Sequence, residues 1–258
     1  METTTSKDGT TIAFDRLGEG PPVVLVSGGS VDRQDNAPLA DALAGTFTVV
    51  NYDRRGRGPS GDTEPYAVQR EVEDIDAVIE SAGGSANLYG ISSGAALAME
   101  AAASGSPITK LALYEPPWIP EGTPRPPADT ARIYREFVDQ GERGKAVEYF
   151  MSKVVGLPDE FVQQARSGPF WGKQEALAHT LAYDATIMAD YDLPTDRAAI
   201  VKVPTLVAAG SATFPFMLDT ARALADAIPD AQLQILEGQT HDVSPEVLAP
   251  VLEAFFTS

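Results

Sequence analysis

The first half of the chain alternates apolar runs with amphipathic segments. Pro22–Ser27 is an almost continuous apolar run, which is typical of a strand buried on both faces within a parallel sheet. Between Tyr66 and Ala82 apolar side chains recur every three or four residues, which predicts a helix with one buried face. Similar patterns predict strands at Thr11–Leu17, Thr46–Tyr52, Ala86–Tyr89 and Lys110–Tyr114, and helices at Ala37–Ala44 and Ser92–Ala103. Alternating strands and helices favour an α/β fold with a doubly wound, mostly parallel sheet.

This alternation stops after the strand at Lys110–Tyr114. The stretch Glu115–Pro127 contains six prolines, which prevent a regular element. Helical patterns follow, at Thr130–Gln140, Lys145–Val155, Asp159–Arg166 and Lys173–Ala189. The strand pattern resumes later, with strands at Val203–Ala209 and Gln232–Leu236 and helices at Phe216–Ala227 and Pro245–Phe256. We therefore expect an α/β core formed by residues 1–115 and 195–258, interrupted by a helical insertion at 116–194.

Composition narrows the classes of function. The chain has 19 Lys and Arg against 37 Asp and Glu, a formal charge of −18, which repels nucleic-acid phosphates and anionic lipids. It has no Cys, so disulfides, thiolate zinc sites and a Cys nucleophile are excluded. The N-terminal residues lack a basic stretch followed by an apolar one. We expect a cytoplasmic protein that binds neither nucleic acid nor membranes, and the sequence gives no oligomeric state.

The sharpest chemical signal is Gly90-Ile91-Ser92-Ser93-Gly94, between a predicted strand and a predicted helix. A nucleophilic Ser on a strained strand-to-helix turn needs small residues on both sides, and its hydroxyl then stands clear of the sheet. The helix N-terminus also directs free N–H groups at developing negative charge. Ser92 is centred between the two glycines, so we predict that it is the nucleophile and that Ser93 contributes its backbone N–H. The alternative is a plain helix-capping turn.

A nucleophilic Ser needs a base, and the chain has only two His. His179 lies within a predicted helix, between Leu177 and Leu181, where it is expected to be a packed or surface helix residue. His241 follows the last predicted strand, in the kind of loop where a doubly wound sheet presents its chemistry. We predict that His241 is the base.

These features resemble the α/β-hydrolase fold family over nearly the whole chain. Gly90–Gly94 matches the nucleophile turn of that family, Gly238–Asp242 its terminal His loop, and Val23–Ser30 its first oxyanion loop. The resemblance implies backbone N–H donors at Gly29 and Ser93 and a cap formed by the insertion. Asp53–Ser60 resembles the family's turn after the next strand. The resemblance implies no metal or organic cofactor.

Within that turn, Gly56–Gly61 also matches the sequence pattern of a dinucleotide-binding fingerprint. Such a fingerprint must open directly into a helix, with its backbone N–H groups facing the pyrophosphate. Here Pro59 removes one N–H, and the residues after Gly61 do not begin a helix. The dinucleotide interpretation is therefore disfavoured.

The sequence departs from the family pattern at two places. Ser27-Gly28-Gly29 stands where the family usually has His-Gly, although a backbone donor at Gly29 survives this change. Thr213 stands where the family usually has the Asp that orients the catalytic His. Some family members place the acid after an earlier strand, which corresponds here to Glu115. We predict Glu115 as the acid, with Asp219, Asp242 or a Ser-His dyad as alternatives.

The insertion carries ten of the twenty aromatic residues, including Trp118 and Trp171. Most of them are expected to form the insertion's own core, but together they favour an apolar pocket. We therefore expect a serine hydrolase acting on an uncharged, partly apolar, small-molecule ester or lactone through an acyl-enzyme. A cofactor-free perhydrolase or acyltransferase would use the same residues. A non-catalytic ligand-binding protein of this fold is the alternative from another class.

Overall fold

The computed structural model describes all 258 residues. Its strands are β1 (Glu2–Thr5), β2 (Thr11–Leu17), β3 (Pro22–Val26), β4 (Thr48–Tyr52), β5 (Ala86–Ile91), β6 (Ile108–Tyr114), β7 (Thr205–Gly210) and β8 (Gln232–Leu236). They form one eight-stranded sheet in the order β1-β2-β4-β3-β5-β6-β7-β8. β1 and β2 are antiparallel to their neighbours, and the other six strands run parallel to one another. The expected doubly wound, mostly parallel sheet is confirmed.

Helices cover both faces of this sheet. They are α1 (Ala37–Leu43), α2 (Val68–Ser81), α3 (Ser93–Ala103), α4 (Thr130–Asp139), α5 (Arg143–Tyr149), α6 (Asp159–Arg166), α7 (Trp171–Leu177), α8 (Leu181–Met188), α9 (Thr195–Ala198), α10 (Pro215–Ala227) and α11 (Pro245–Thr257). Apolar side chains of α2, α3 and α10 pack in one buried cluster with the sheet, and those of α1 and α11 pack in a second cluster on the other face. No helix is long and apolar enough to span a membrane.

Residues 116–194, which we call the helical segment, lie between β6 and β7 with their connecting loops. Tyr134, Val147 and Leu181 belong to a small buried cluster inside this segment, and Trp171 packs against it. Residues near the two ends of the segment pack on the sheet instead. Trp118 and Met188 belong to the large buried cluster there. The helical segment therefore has its own core and is also packed against the sheet.

Several local features differ from the sequence prediction. β1 was not predicted, because Glu2–Thr5 contains no apolar residue. The helix expected at Lys145–Val155 changes to a wider π-helical turn at Phe150–Val154. The helix expected at Lys173–Ala189 is divided by a 3₁₀ turn at Ala178–Thr180. His179 therefore lies in a turn between two short helices rather than inside one helix.

Candidate active site

The turn between β5 and α3 holds Ser92 in a strained backbone conformation. Ser92 has φ 57° and ψ −130°, in the region that L-residues rarely adopt. Both flanking glycines are required by close backbone approaches: a Cβ at Gly90 would lie 2.4 Å from the Gly94 carbonyl oxygen, and one at Gly94 would lie 2.4 Å from the Ser27 carbonyl oxygen. The turn is therefore the sharp strand-to-helix elbow that lifts a Ser side chain above the sheet.

His241 and Glu115 meet beside this turn. The Nδ1 atom of His241 lies 2.8 Å from Oε2 of Glu115, and the Glu115 side chain is fully buried. Two further donors hold the carboxylate, since the Gly210 N–H bonds Oε1 at 2.8 Å and the Thr213 hydroxyl bonds Oε2 at 2.9 Å. The carboxylate accepts every one of these bonds, so Nδ1 of His241 donates its proton to Glu115.

The alternative acids lie elsewhere. Asp219 pairs with Arg222 and its side chain is 65% exposed, and Asp242 is exposed next to His241. Thr213 stands where the family pattern has an Asp, and it donates to Glu115 rather than to the imidazole. The structure thus brings Glu115 to His241 and leaves both alternative carboxylates in solvent.

His179 is held away from Ser92 by its own partners. Its Nε2 lies 3.6 Å from Asp62, and its Nδ1 lies 3.4 Å from the Arg143 guanidinium. Burial lowers the pKa of His179 below its ordinary value. His179 does not line the cavity that contains Ser92 and His241, so its position agrees with a packing role.

Gly29 and Ser93, whose backbone N–H groups the sequence predicts as donors, lie near Ser92. Ser93 is the first residue of α3, and the first N–H groups of a helix have no partner within it. The Gly29 N–H makes no hydrogen bond within the protein. Gly28, the residue before it, is so close to Ser92 that an added Cβ would lie 3.0 Å from the Ser92 Cβ. Gly29 and Ser93 line the same cavity as Ser92.

A cavity of about 550 Å³ joins these residues to the helical segment. Ser92 and His241 both line it, and half of its 24 lining residues are hydrophobic. Apolar side chains from the helical segment and from α10 line it, among them Ile119, Leu181, Met188 and Phe216. Trp118 is buried in the sheet's core instead, and neither Trp lines the cavity. The cavity suits a small molecule with an apolar part.

A buried ionic cluster beside Ser92 was not foreseen from the sequence. Arg54 pairs with Glu71 at 2.7 Å and with Asp184 of α8 at 2.8 Å, and Arg57 pairs with Asp184 at 2.9 Å. The Ser93 hydroxyl donates to the same Asp184 at 2.8 Å. Burial disfavours the charged carboxylate of Asp184, but the two guanidinium groups outweigh burial and hold its pKa below the ordinary value. The arginine-rich turn after β4 was the only signal in the sequence.

The turn after β4 also contains Gly56–Gly61, which matches the sequence pattern of a dinucleotide-binding fingerprint. It does not open into a helix, because α2 begins only at Val68. The Asp53 carboxylate also packs so closely on Gly58 that an added Cβ there would lie 2.3 Å from it. No group of three or more His, Asp or Glu side chains is arranged to hold a metal ion.

The sequence model of the alpha/beta hydrolase family matches residues 23–251 of the chain. An alpha/beta hydrolase from Sphaerobacter thermophilus with a crystal structure is 51% identical in sequence to this chain. The two structures align with a TM-score of 0.93 over 99% of this chain and 100% of that chain. A thermophilic esterase from Thermogutta terrifontis is 22% identical, with a TM-score of 0.78 over 99% and 97% of the two chains. An enol-lactonase from Burkholderia xenovorans is 22% identical, with a TM-score of 0.73 over the whole of both chains.

Proposed function

The chain belongs to the alpha/beta hydrolase family, and from this premise we propose that it is a serine hydrolase of partly apolar esters or lactones. The observation that carries the proposal is the junction of three residues from separate loops. Ser92 on its strained turn lines the same cavity as His241, whose Nδ1 is bonded to the fully buried Glu115. A nucleophile, a base and an orienting carboxylate are the parts that acyl transfer requires.

In the proposed reaction the Ser92 hydroxyl attacks the carbonyl carbon of the substrate. His241 takes the hydroxyl proton on Nε2, because Nδ1 already donates to Glu115. The Glu115 carboxylate stabilises the imidazolium that forms, and its bonds from Gly210 and Thr213 keep it aimed at the ring. The imidazolium then returns the proton to the leaving alcohol, and an acyl group remains on Ser92.

The negative charge of the tetrahedral intermediate falls on the former carbonyl oxygen. We propose that the free N–H groups of Gly29 and Ser93 bind this oxygen, since donors fixed in advance stabilise charge without reorganising. Water activated by His241 then attacks the acyl-enzyme, releasing the acid and restoring the Ser92 hydroxyl. No step calls for a metal or an organic cofactor.

We further propose that the helical segment, residues 116–194, is the cap that covers this site. Its side chains form much of the cavity wall facing Ser92, so it controls which molecules reach the nucleophile. The hydrophobic half of the lining supports a substrate with hydrophobic bulk, as expected from the sequence. The cytoplasmic location stays a prediction of the sequence alone.

The test is a screen of chromogenic esters and lactones of graded acyl length, with Ser92→Ala as the matched control. We expect hydrolysis of part of the series by the wild type and a loss of roughly 10⁶-fold in kcat for Ser92→Ala. Turnover that is faster with peroxide or an alcohol than with water would make the enzyme a perhydrolase or acyltransferase. Saturable ligand binding without turnover of any compound would favour the non-catalytic protein and overturn the proposal.

A further inference from the structure

The carbonyl group of the Gly28–Gly29 peptide accepts a hydrogen bond from a buried arginine. Arg57 is almost completely buried and donates from Nη1 to the Gly28 carbonyl oxygen. The same guanidinium donates to the Val31 carbonyl oxygen at 3.2 Å. Arg54 lies 3.5 Å from the Gly28 oxygen, which is too long for a strong hydrogen bond. Arg57 is therefore the principal donor to this carbonyl.

Fixing that carbonyl also fixes the direction of the Gly29 N–H. The Gly28–Gly29 peptide is trans and therefore close to planar. In a trans peptide the C=O and the N–H point in opposite directions. With the carbonyl directed at Arg57, the Gly29 N–H points away from the guanidinium, and it has no acceptor within the protein.

Arg54 makes one further bond to this loop, from Nη1 to the Ser27 carbonyl oxygen at 3.3 Å. The loop follows β3 and contains two successive glycines, which accept many backbone conformations. Ser27, in the position where the family usually has His, leaves its buried hydroxyl without any partner. The Gly28–Gly29 peptide itself is hydrogen-bonded only by side chains of the arginine-rich turn, and Arg57 is the closer donor.

Arg57 is in turn held by the helical segment. Its Nη2 donates to both carboxylate oxygens of Asp184, each at 2.9 Å. Asp184 lies on α8, and it also receives the Ser93 hydroxyl. The cluster is balanced in charge, with Arg54 and Arg57 against Glu71 and Asp184. A guanidinium serves two partners at once because its donors are arranged in a rigid planar fork.

We infer that Arg57, clamped by Asp184, is a positioning residue that aims the Gly29 N–H at the oxyanion. The inference rests on the proposed function, since it needs an oxyanion to form at Ser92. It adds that packing of the helical segment on the core sets the geometry of the oxyanion hole as well as covering the cavity. Arg57 acts through the Gly28–Gly29 peptide and touches no reacting atom.

The test removes the Arg57–Asp184 ion pair without leaving a buried charge unpaired. The double variant Arg57→Met with Asp184→Asn deletes one positive and one negative charge. A matched control exists two residues away: Arg55 is fully buried and pairs with Asp74 at 2.7 Å, and it makes no bond to the Ser27–Gly29 loop. Arg55→Met with Asp74→Asn therefore removes a similar ion pair from the same turn.

Two measurements separate positioning from a merely structural role. The first is kcat and KM for the chromogenic ester that the wild type hydrolyses best. The second is inhibition by an aryl trifluoromethyl ketone, in which Ser92 Oγ bonds to the ketone carbon, the carbonyl oxygen becomes the oxyanion, and the Ser92 proton passes to His241. The ketone adduct needs the oxyanion donors, whereas substrate binding as read by KM does not.

For the Arg57/Asp184 variant we expect kcat to fall about 10²-fold, the lower end of the cost of deleting one oxyanion donor, because the N–H is misdirected rather than removed. The ketone inhibition constant should rise by a similar factor, with KM changed less than about threefold. The Arg55/Asp74 control should lose thermal stability yet keep kcat and ketone affinity within about threefold of the wild type.

A single variant covers the case in which the double variant does not fold. Arg57→Lys keeps the charge opposite Asp184, but one ammonium does not replace the fork, so kcat should fall about tenfold. A folded Arg57 variant with wild-type kcat and ketone affinity overturns the inference, as does a loss confined to KM or equal to that of the control. If the wild type itself neither hydrolyses an ester nor forms the ketone adduct, the proposed function fails first.

Discussion

Replacing Glu115 by Gln tests how the base is oriented. The substitution keeps the side-chain volume and removes one charge from a fully buried site. The Gly210 N–H is a fixed donor to Oε1, so the new amide side chain must turn its oxygen toward Gly210. Its NH₂ group then faces Nδ1 of His241 in place of the carboxylate oxygen. That contact favours the imidazole with its proton on Nε2, the nitrogen that accepts the Ser92 proton in the proposed reaction.

The expected loss of activity has two causes, the Nε2-protonated tautomer of His241 and the missing negative charge of Glu115. In a triad whose acid becomes an amide, turnover falls on the order of 10⁴-fold, which corresponds to about 5 kcal/mol of transition-state stabilisation. The assay is kcat for a chromogenic ester at neutral pH, with circular dichroism to establish that the variant is folded. Asp242→Asn is the control, because it removes an exposed carboxylate next to the same His.

Asp242→Asn should change kcat by less than about tenfold, since exposed charges contribute little. Thr213→Asp combined with Glu115→Gln should recover part of the lost activity, because Thr213 already reaches the Glu115 carboxylate at 2.9 Å. A folded Glu115→Gln enzyme with near-normal turnover would refute the orientation argument. The dyad without an acid, or Asp242, would then have to be considered again.

The remaining predictions concern the base, the turn and acid stability. His241→Ala should lose nearly as much kcat as the loss of Ser92 does, whereas His179→Ala should keep most activity; the opposite order in a steady-state assay would contradict the base assignment. Gly90→Ala forces a Cβ to 2.4 Å from a carbonyl oxygen and should lower the free energy of unfolding by at least about 1–3 kcal/mol in urea titrations. The lowered pKa of Asp184 means that its charged form stabilises the fold above the unfolded value of about 3.9. The stability difference between wild type and Asp184→Asn should therefore narrow as the pH falls below that value, and a constant difference would contradict the ion-pair argument.

The sheet and its helices were predictable because hydrophobic periodicity reports burial. The apolar run at Pro22–Ser27 became the central strand β3, and the apolar stripe between Tyr66 and Ala82 became α2. β1 escaped prediction for the converse reason. Its sequence Glu-Thr-Thr-Thr buries nothing, and backbone pairing with β2 at the sheet edge determines its structure.

The placement of Ser92, Glu115 and His241 at one edge of the sheet was also predictable. Each follows a strand of the parallel part of the sheet, and the carboxyl ends of parallel strands meet at one edge. The buried cluster of Arg54, Arg57 and Asp184 was not predictable in this way. Charged residues are usually exposed, and nothing local to Arg54 indicates a partner 130 residues away on α8.

The most direct test of the account is the site of covalent modification by a fluorophosphonate, which reacts with an activated Ser hydroxyl. Folded wild-type protein is incubated with the probe, its intact mass is measured, and the modified peptide is sequenced by mass spectrometry. We expect one adduct per chain on Ser92, with no adduct on Ser92→Ala and strongly slowed labelling in His241→Ala. No adduct on the folded wild type, or an adduct on any residue other than Ser92, would contradict the claim that this chain is a serine hydrolase acting through Ser92.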